Sequence, residues 1–300
     1  MSPRTVKPVL GATEWRAGDD RTLPFERWPN AKQDLPRQSK AVLICLHGLS
    51  GAASDFWPLG EKLPGHGIVV YGLQLRSQGH DPEISARGDI RDAREWQRDL
   101  REFHDLVAER HPREPIFWLA ESMGALIALH ALDDLPANAR KIRGLVMLSP
   151  AVELRERLPG WRYLATRVAM FLAPGRRITL SSLDESRVAG MRITSDTTHS
   201  AQAAQTPHYV KMQSLRLLRE IEKMMSASTA VARRTTIPVL VLYTANDPVT
   251  SQQQIEHWFS HIQSPDKCRL FFPNNYHLIL HDDERWKAVE QIASWIIEHE

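Results

Sequence analysis

Residues 115–125 read Pro-Ile-Phe-Trp-Leu-Ala-Glu-Ser-Met-Gly-Ala, an apolar run that passes through a serine into a second apolar run, Met123–Leu132. The first half has the length and continuity of a strand buried on both faces, and the second reads as a short helix packed against a sheet. Ala120 and Gly124 flank Ser122 at −2 and +2. Small residues are needed there because a serine on a strained turn brings strand and helix close together. The layout is that of a nucleophile elbow, G-x-S-x-G with alanine at the first glycine, and it makes Ser122 the candidate nucleophile. Alanine adds one methyl group, a mild departure. The strand before and the helix after carry the reading further than the five residues alone.

Working outward, similar apolar runs occur at Ala41–His47, Gly67–Leu75, Gly144–Ser149, Ile237–Thr244 and Cys268–Phe272. Helical patterns separate them. Asp89–Arg110 places Trp96, Leu100, Phe103 and Val107 on one face, and Glu284–His299 does the same with Trp286, Val289, Ile292 and Ile296. Alternation of this kind predicts an α/β fold: a mostly parallel central sheet with helices on both faces. Thr22–Trp28 predicts a strand of an opening, antiparallel hairpin. From Val152 to Arg234 the alternation stops, with helices and loops but no buried strand. The expectation is a mainly helical cap, 152–234, inserted between two parts of the core, 1–151 and 235–300, and lying over the C-terminal ends of the strands.

Three further groups complete a candidate site. The strand at 41–47 runs into His47-Gly48-Leu49-Ser50-Gly51, a loop suited to aiming a backbone amide. The N–H groups of Leu49 and of Met123 are the candidate oxyanion donors; a plain glycine turn is the other reading of the loop. Asp247, in Ala245-Asn246-Asp247-Pro248, follows the strand at 237–244 and is the candidate acid, although Asn-Asp-Pro also suits a simple helix cap near Thr250. His277, in the loop after the strand at 268–272, is the candidate base, with His281 its rival. Serine, acid and histidine come in the order expected of such a site, each just beyond the end of a strand. That set would let His277 take the Ser122 proton while Asp247 fixes the imidazole tautomer.

On these residues the chain resembles the α/β-hydrolase superfamily over nearly its whole length. More narrowly it is similar to the monoacylglycerol lipase, lysophospholipase and bacterial carboxylesterase branch, a serine aminopeptidase-like grouping. Leu46–Gly51 resembles that branch's oxyanion loop, and Leu75-Arg76-Ser77-Gln78-Gly79-His80 its turn after the next strand. Trp96 and Asp99 match a W-x-x-D helix, Ser122-Met123-Gly124 the S-M-G core, and Leu148–Ala151 the entry to the cap. Ala120, Ala125 and Tyr276 depart from the pattern. The resemblance implies hydrolysis of carboxylic esters, lipid-like monoesters above all, beneath a lipid-facing cap. Peptidase, thioesterase and acyltransferase use the same triad, and a non-catalytic binding protein is the reading from another class. Aspartate in place of Ser122, as in dehalogenases and epoxide hydrolases, is absent.

Within the cap, 160–172 sets Trp161, Leu164, Val168 and Phe171 on one stripe, with Arg162, Arg167, Arg176 and Arg177 elsewhere. The stripe reads either as a substrate lip touching a micelle or membrane surface, or, more economically, as a helix packed on the core. A second helix is expected over Val210–Met225, with Met212, Leu215, Leu218, Ile221 and Met225 on one face, which reads either as a methionine-rich lining for variable acyl chains or, more economically, as core packing. Bulk composition is ordinary: 42% hydrophobic, 25% charged, and 38 Lys and Arg against 36 Asp and Glu for a formal charge of +2. That balance gives no reason to expect a nucleic-acid partner. The two cysteines, Cys45 and Cys268, are expected as buried free thiols. No signal-peptide pattern opens the sequence and no apolar stretch reaches the ~20 residues of a span, so a cytoplasmic location is expected. No metal or organic cofactor is expected either, for lack of H-E-x-x-H or a phosphate-binding glycine loop. Oligomeric state is left open.

Overall fold

The computed structural model describes residues 6–29, 39–135, 142–156, 160–179, 192–196 and 205–300. Eleven strands are described: β1 (Val9–Leu10), β2 (Glu14–Arg16), β3 (Thr22–Trp28), β4 (Ala41–Leu46), β5 (Ile68–Leu73), β6 (Ile116–Glu121), β7 (Gly144–Leu148), β8 (Arg177–Thr179), β9 (Met212–Ser214), β10 (Val239–Thr244) and β11 (Lys267–Phe272). Nine form one sheet in the order β1-β2-β3-β5-β4-β6-β7-β10-β11, while β8 and β9 pair separately. The strands from β5 to β11 in that order run parallel; β1, β2 and β3 join antiparallel at one edge, as the opening hairpin predicted. The chain reverses direction across the sheet at β4, which lies between β5 and β6. Loops leaving β4 and β6 therefore border a crevice at a topological switch point.

Helices cover both faces. One face carries α2 (Arg94–Arg110) and α3 (Met123–Asp133), and the other carries α1 (Trp57–Lys62) and the C-terminal helix Arg285–Glu298. Trp96, Leu100, Phe103 and Val107 of α2 are buried in the first layer, as their spacing predicted. Val289, Ile292 and Ile296 lie in the second. The β4, β5, β6, β7 and β10 residues are buried throughout, which explains their unbroken apolar runs. β11 differs. It forms the sheet edge, where cover is incomplete, and only Phe272 of it is buried. Cys268 is consequently exposed, a correction to the expected pair of buried thiols; Cys45, on the central β4, is buried.

Between β7 and β10 lie α4 (Gly160–Leu172), β8, β9, α5 (Leu215–Ala232), and then, after β10, α6 (Gln252–Ser260) and α7 (Arg285–Glu298) complete the chain. Residues 157–159, 180–191 and 197–204 of the expected cap lie outside the described residues. The helix expected from Val210 begins instead at Leu215. Ser214 caps it, its hydroxyl accepting from the Leu217 amide at 3.0 Å, and Met212 belongs to β9 and is exposed. Leu215 is buried, and Leu218, Ile221 and Met225 pack against the core as expected. The packing reading fails for α4. Trp161 is 73%, Leu164 63%, Val168 48% and Phe171 75% exposed, and of the whole helix only Met170 is buried. No helix among the described residues is long and apolar enough to cross a membrane.

Candidate active site

Ser122 stands between β6 and α3 with φ +54° and ψ −117°, in a region that L-residues avoid. The turn is held by close approach on both sides. A Cβ on Gly124 would lie 2.6 Å from the Leu46 carbonyl oxygen and 2.7 Å from that of His47. One on Gly48 would lie 3.1 Å from Ser122 Cβ, so the loop after β4 passes directly over the serine. Ala120, where a first glycine was expected, is buried in the core without displacing the strand from its register with β4 and β7.

The Ser122 hydroxyl donates to His277 Nε2 at 2.8 Å. His277 Nδ1–H donates to Asp247 Oδ2 at 2.8 Å. Asp247 Oδ1 accepts from the amides of Val249 at 2.7 Å and Thr250 at 3.2 Å. Asp247 thus makes local turn contacts, but the cap of α6 is Ser251. Arg155 Nη1 donates to the Asp247 carbonyl at 2.6 Å, steadying the loop from the start of segment 152–234. His277, not His281, meets the serine; His281 is buried, and its carbonyl accepts from Thr194 Oγ1. Asp282 beside it accepts from the Tyr276 amide at 2.5 Å and so fixes the backbone just ahead of His277.

Burial works against a charged His277 imidazole. The charge and hydrogen bond of Asp247, with the charge of Glu121, outweigh it and hold the histidine above its ordinary pKa. Glu121 itself was not singled out from the sequence. It is buried at the end of β6, and its Oε1 meets no hydrogen-bond partner among the described residues. Burial pushes its carboxyl up to about 7; His277 opposes that rise, and the charges of Asp55 and Asp247 add to it. The available signal was a lone acid closing an otherwise apolar strand.

Met123 directly follows the serine, and Leu49 follows Gly48, which lies close against it. Met123 opens α3, where amides have no partner within the helix. No backbone acceptor among the described residues meets the Leu49 amide. Two braces hold this loop. His47 Nδ1–H donates to the Gly48 carbonyl at 2.8 Å, while its Nε2 accepts from the Leu75 amide and Gln74 Nε2. Full burial depresses its pKa to about 4, so His47 is neutral and keeps its accepting nitrogen. Behind the next turn, Arg76 forms a two-pronged bond with Asp99 at 2.5 and 2.6 Å and reaches Asp19 and Glu95. Trp96 Nε1 donates to the Arg76 carbonyl. The turn at 75–80 and the W-x-x-D helix, separate signals in the sequence, are therefore two halves of one contact.

Trp161, Leu164, Val168 and Phe171 do not join the serine, aspartate and histidine; they face outward on α4. Tyr163 and Arg167 on the same helix bond Glu222 of α5 at 2.9 and 3.3 Å. Among the described residues no group of three or more His, Cys, Asp or Glu is placed to hold a metal ion.

Residues 37–284 match the family described as serine aminopeptidase, S33. A monoacylglycerol lipase of Mycolicibacterium smegmatis is 23% identical over 260 residues, covering 87% of this chain and 89% of that protein. A monoglyceride lipase of Mus musculus is 22% identical over 86% of this chain and 82% of its own length. A crystal structure of a soluble variant of monoglyceride lipase from Saccharomyces cerevisiae, in complex with a substrate analog, superposes with a TM-score of 0.80. It covers 100% of this chain and 98% of that one, at 19% identity, and so speaks for the fold.

Proposed function

The chain belongs to the serine aminopeptidase, S33 family, and from that premise we propose that it is a serine hydrolase of lipid-like carboxylic monoesters. The observation that carries the reading is the unbroken hydrogen-bond chain from Ser122 Oγ through His277 to Asp247, both links 2.8 Å long. His277 Nε2 takes the hydroxyl proton as Ser122 Oγ attacks the acyl carbon. The carbonyl oxygen becomes an oxyanion that accepts from the Leu49 and Met123 amides. His277 then returns the proton to the departing alcohol, and water, activated by the same imidazole, hydrolyses the acyl-enzyme. Asp247 holds Nδ1 protonated throughout and stabilises the imidazolium.

A lipid-like substrate is supported by the mycobacterial and mouse relatives, which carry the names monoacylglycerol and monoglyceride lipase. It is also supported by α4. We read segment 152–234 as a cap whose exposed Trp161, Leu164, Val168 and Phe171 meet acyl chains at a micelle or membrane surface, with Arg162, Arg167 and Arg176 beside them. The family description favours one second reading, an aminopeptidase using the same triad on an amide.

The test is hydrolysis of a p-nitrophenyl ester series from acetyl to palmitoyl, of monoacylglycerols, and of aminoacyl p-nitroanilides, by wild type and Ser122→Ala. Ester cleavage that peaks at one chain length and disappears in the variant is the expected result. Cleavage of the anilides alone would replace the ester reading with the peptidase one. Undiminished activity in Ser122→Ala would remove the proposed nucleophile.

A further inference from the structure

Side chains from three distant parts of the sequence close a ring of hydrogen bonds beside the loop that follows β4. The Ser50 amide donates to Gln78 Oε1 at 2.9 Å. Gln78 Nε2 donates to Gln213 Oε1 at 3.4 Å. Gln213 Nε2 donates to Ser50 Oγ at 3.1 Å and to the Val210 carbonyl at 2.9 Å. The Ser50 hydroxyl closes the ring on that same carbonyl at 2.8 Å. Gln78 and Gln213 are fully buried, where an amide side chain persists only if its donors and acceptors are met. Gln213 sits on β9, whose Ser214 amide donates to the Gly88 carbonyl at 2.7 Å and moors the strand to the loop beyond β5.

Ser50 directly follows Leu49, and its φ of +63° lies in the left-handed region that a serine does not favour unaided. On the other side of Leu49, Gly48 is fixed by His47. The Leu49 amide therefore hangs between two anchors, one inside the core loop and one supplied from segment 152–234. A donor that must meet a developing charge has to be aimed beforehand, and freedom at either anchor would spoil its aim.

We propose that Gln213 is a positioning residue for turnover: through Ser50 and Gln78 it fixes the peptide joining Leu49 to Ser50, so limiting rotation at Leu49 and steadying the adjoining Gly48–Leu49 peptide, whose N–H is aimed at the substrate oxyanion. Catalytic competence thereby depends on β9 being seated against the core. This deepens the proposed function and rests on it.

Gln213→Met removes the amide at nearly constant size, and Ser50→Ala removes the hydroxyl at the centre of the ring while sparing the Ser50 amide. Both are compared with wild type for hydrolysis of p-nitrophenyl butyrate and for inhibition by butylboronic acid, which mimics the tetrahedral species on Ser122. Each variant is expected to lose at least about tenfold in kcat with KM within about twofold, and boronate affinity should weaken by a similar factor. The double variant should fall well short of the product of the two losses, because both break one ring. Circular dichroism melts identify folded variants, and Ser50→Ala keeps the test open should Gln213→Met fail to fold. Folded variants with wild-type kcat and boronate affinity, or with a loss confined to KM, would overturn the inference. A wild type inactive on every ester would instead overturn the proposed function with it, whereas an active wild type with indifferent variants overturns this inference alone.

Discussion

The hydrogen-bond partners of a single imidazole set the expected pH behaviour. His277 serves as base only when neutral, and its pKa is raised, so the acid limb of kcat/KM should lie above the ordinary histidine value of about 6.5. Glu121 supplies part of that rise, alongside Asp247. Glu121→Gln keeps the shape and removes the charge, and it should move the limb to lower pH; an unmoved limb in a folded variant would contradict the assignment. The same residue should leave a stability signature. Its carboxyl, at about 7 when folded, holds a proton that an unfolded glutamate, near 4.3, has released. The folded state binds more protons across that window, so stability falls as pH rises through it. Any deficit in melting temperature of wild type against Glu121→Gln should therefore be smallest below about pH 4 and widen steadily up to pH 8. Ser122, Asp247 and His277 were legible in the sequence because each follows a strand whose apolar run is unmistakable. Glu121 was not, since a charge at a strand end reads as its boundary; only the fold brings it within reach of the charges of His277, Asp55 and Asp247.

Elements were legible where burial is two-sided. β4, β6 and β10 are buried on both faces, so their apolar runs leave no other assignment. β11 shares the composition but not the cover, and an edge position leaves no mark in a run such as Cys-Arg-Leu-Phe-Phe. At Val210–Met225 the helical spacing of Met212 with Leu215 was fortuitous. Ser214 is the true boundary, because its side chain serves the first turn of α5. For α4 the apolar stripe is present and of its two sequence readings only core packing fails, since periodicity shows that a face is apolar without showing what it meets. The exposed face makes a direct prediction. Trp161→Ser combined with Phe171→Ser should lower hydrolysis of emulsified long-chain monoacylglycerol by about tenfold or more while leaving a soluble short-chain ester nearly unchanged. Equal losses on both substrates would mean that these side chains support the fold or the chemistry instead.

At the scale of the whole molecule, the parallel sheet brings residues 49, 122, 247 and 277 to one edge, and buried polar contacts lock the loops that carry them. Arg76 joins the turn after β5 to Asp99 on α2 and to Asp19 near the opening hairpin. Asp99 is almost wholly buried and burial already pushes its carboxyl up to about 7, so Arg76→Met would leave it without its hydrogen-bonding partner, at a cost of about 3 kcal/mol. Urea unfolding should show that loss as a lower midpoint, and a midpoint within error of wild type would refute the role given to the pair. The turn at 75–80 and the W-x-x-D helix were both visible in the sequence, but their union needs the turn and helix to be placed side by side. The central claim, that Ser122 is activated by His277 and Asp247, is tested most directly by reaction with a fluorophosphonate followed by peptide mass analysis. One adduct per chain on the peptide containing Ser122, formed rapidly by wild type and lost in His277→Ala, is the predicted result. Modification at another residue, or none in a folded wild-type protein, would contradict it.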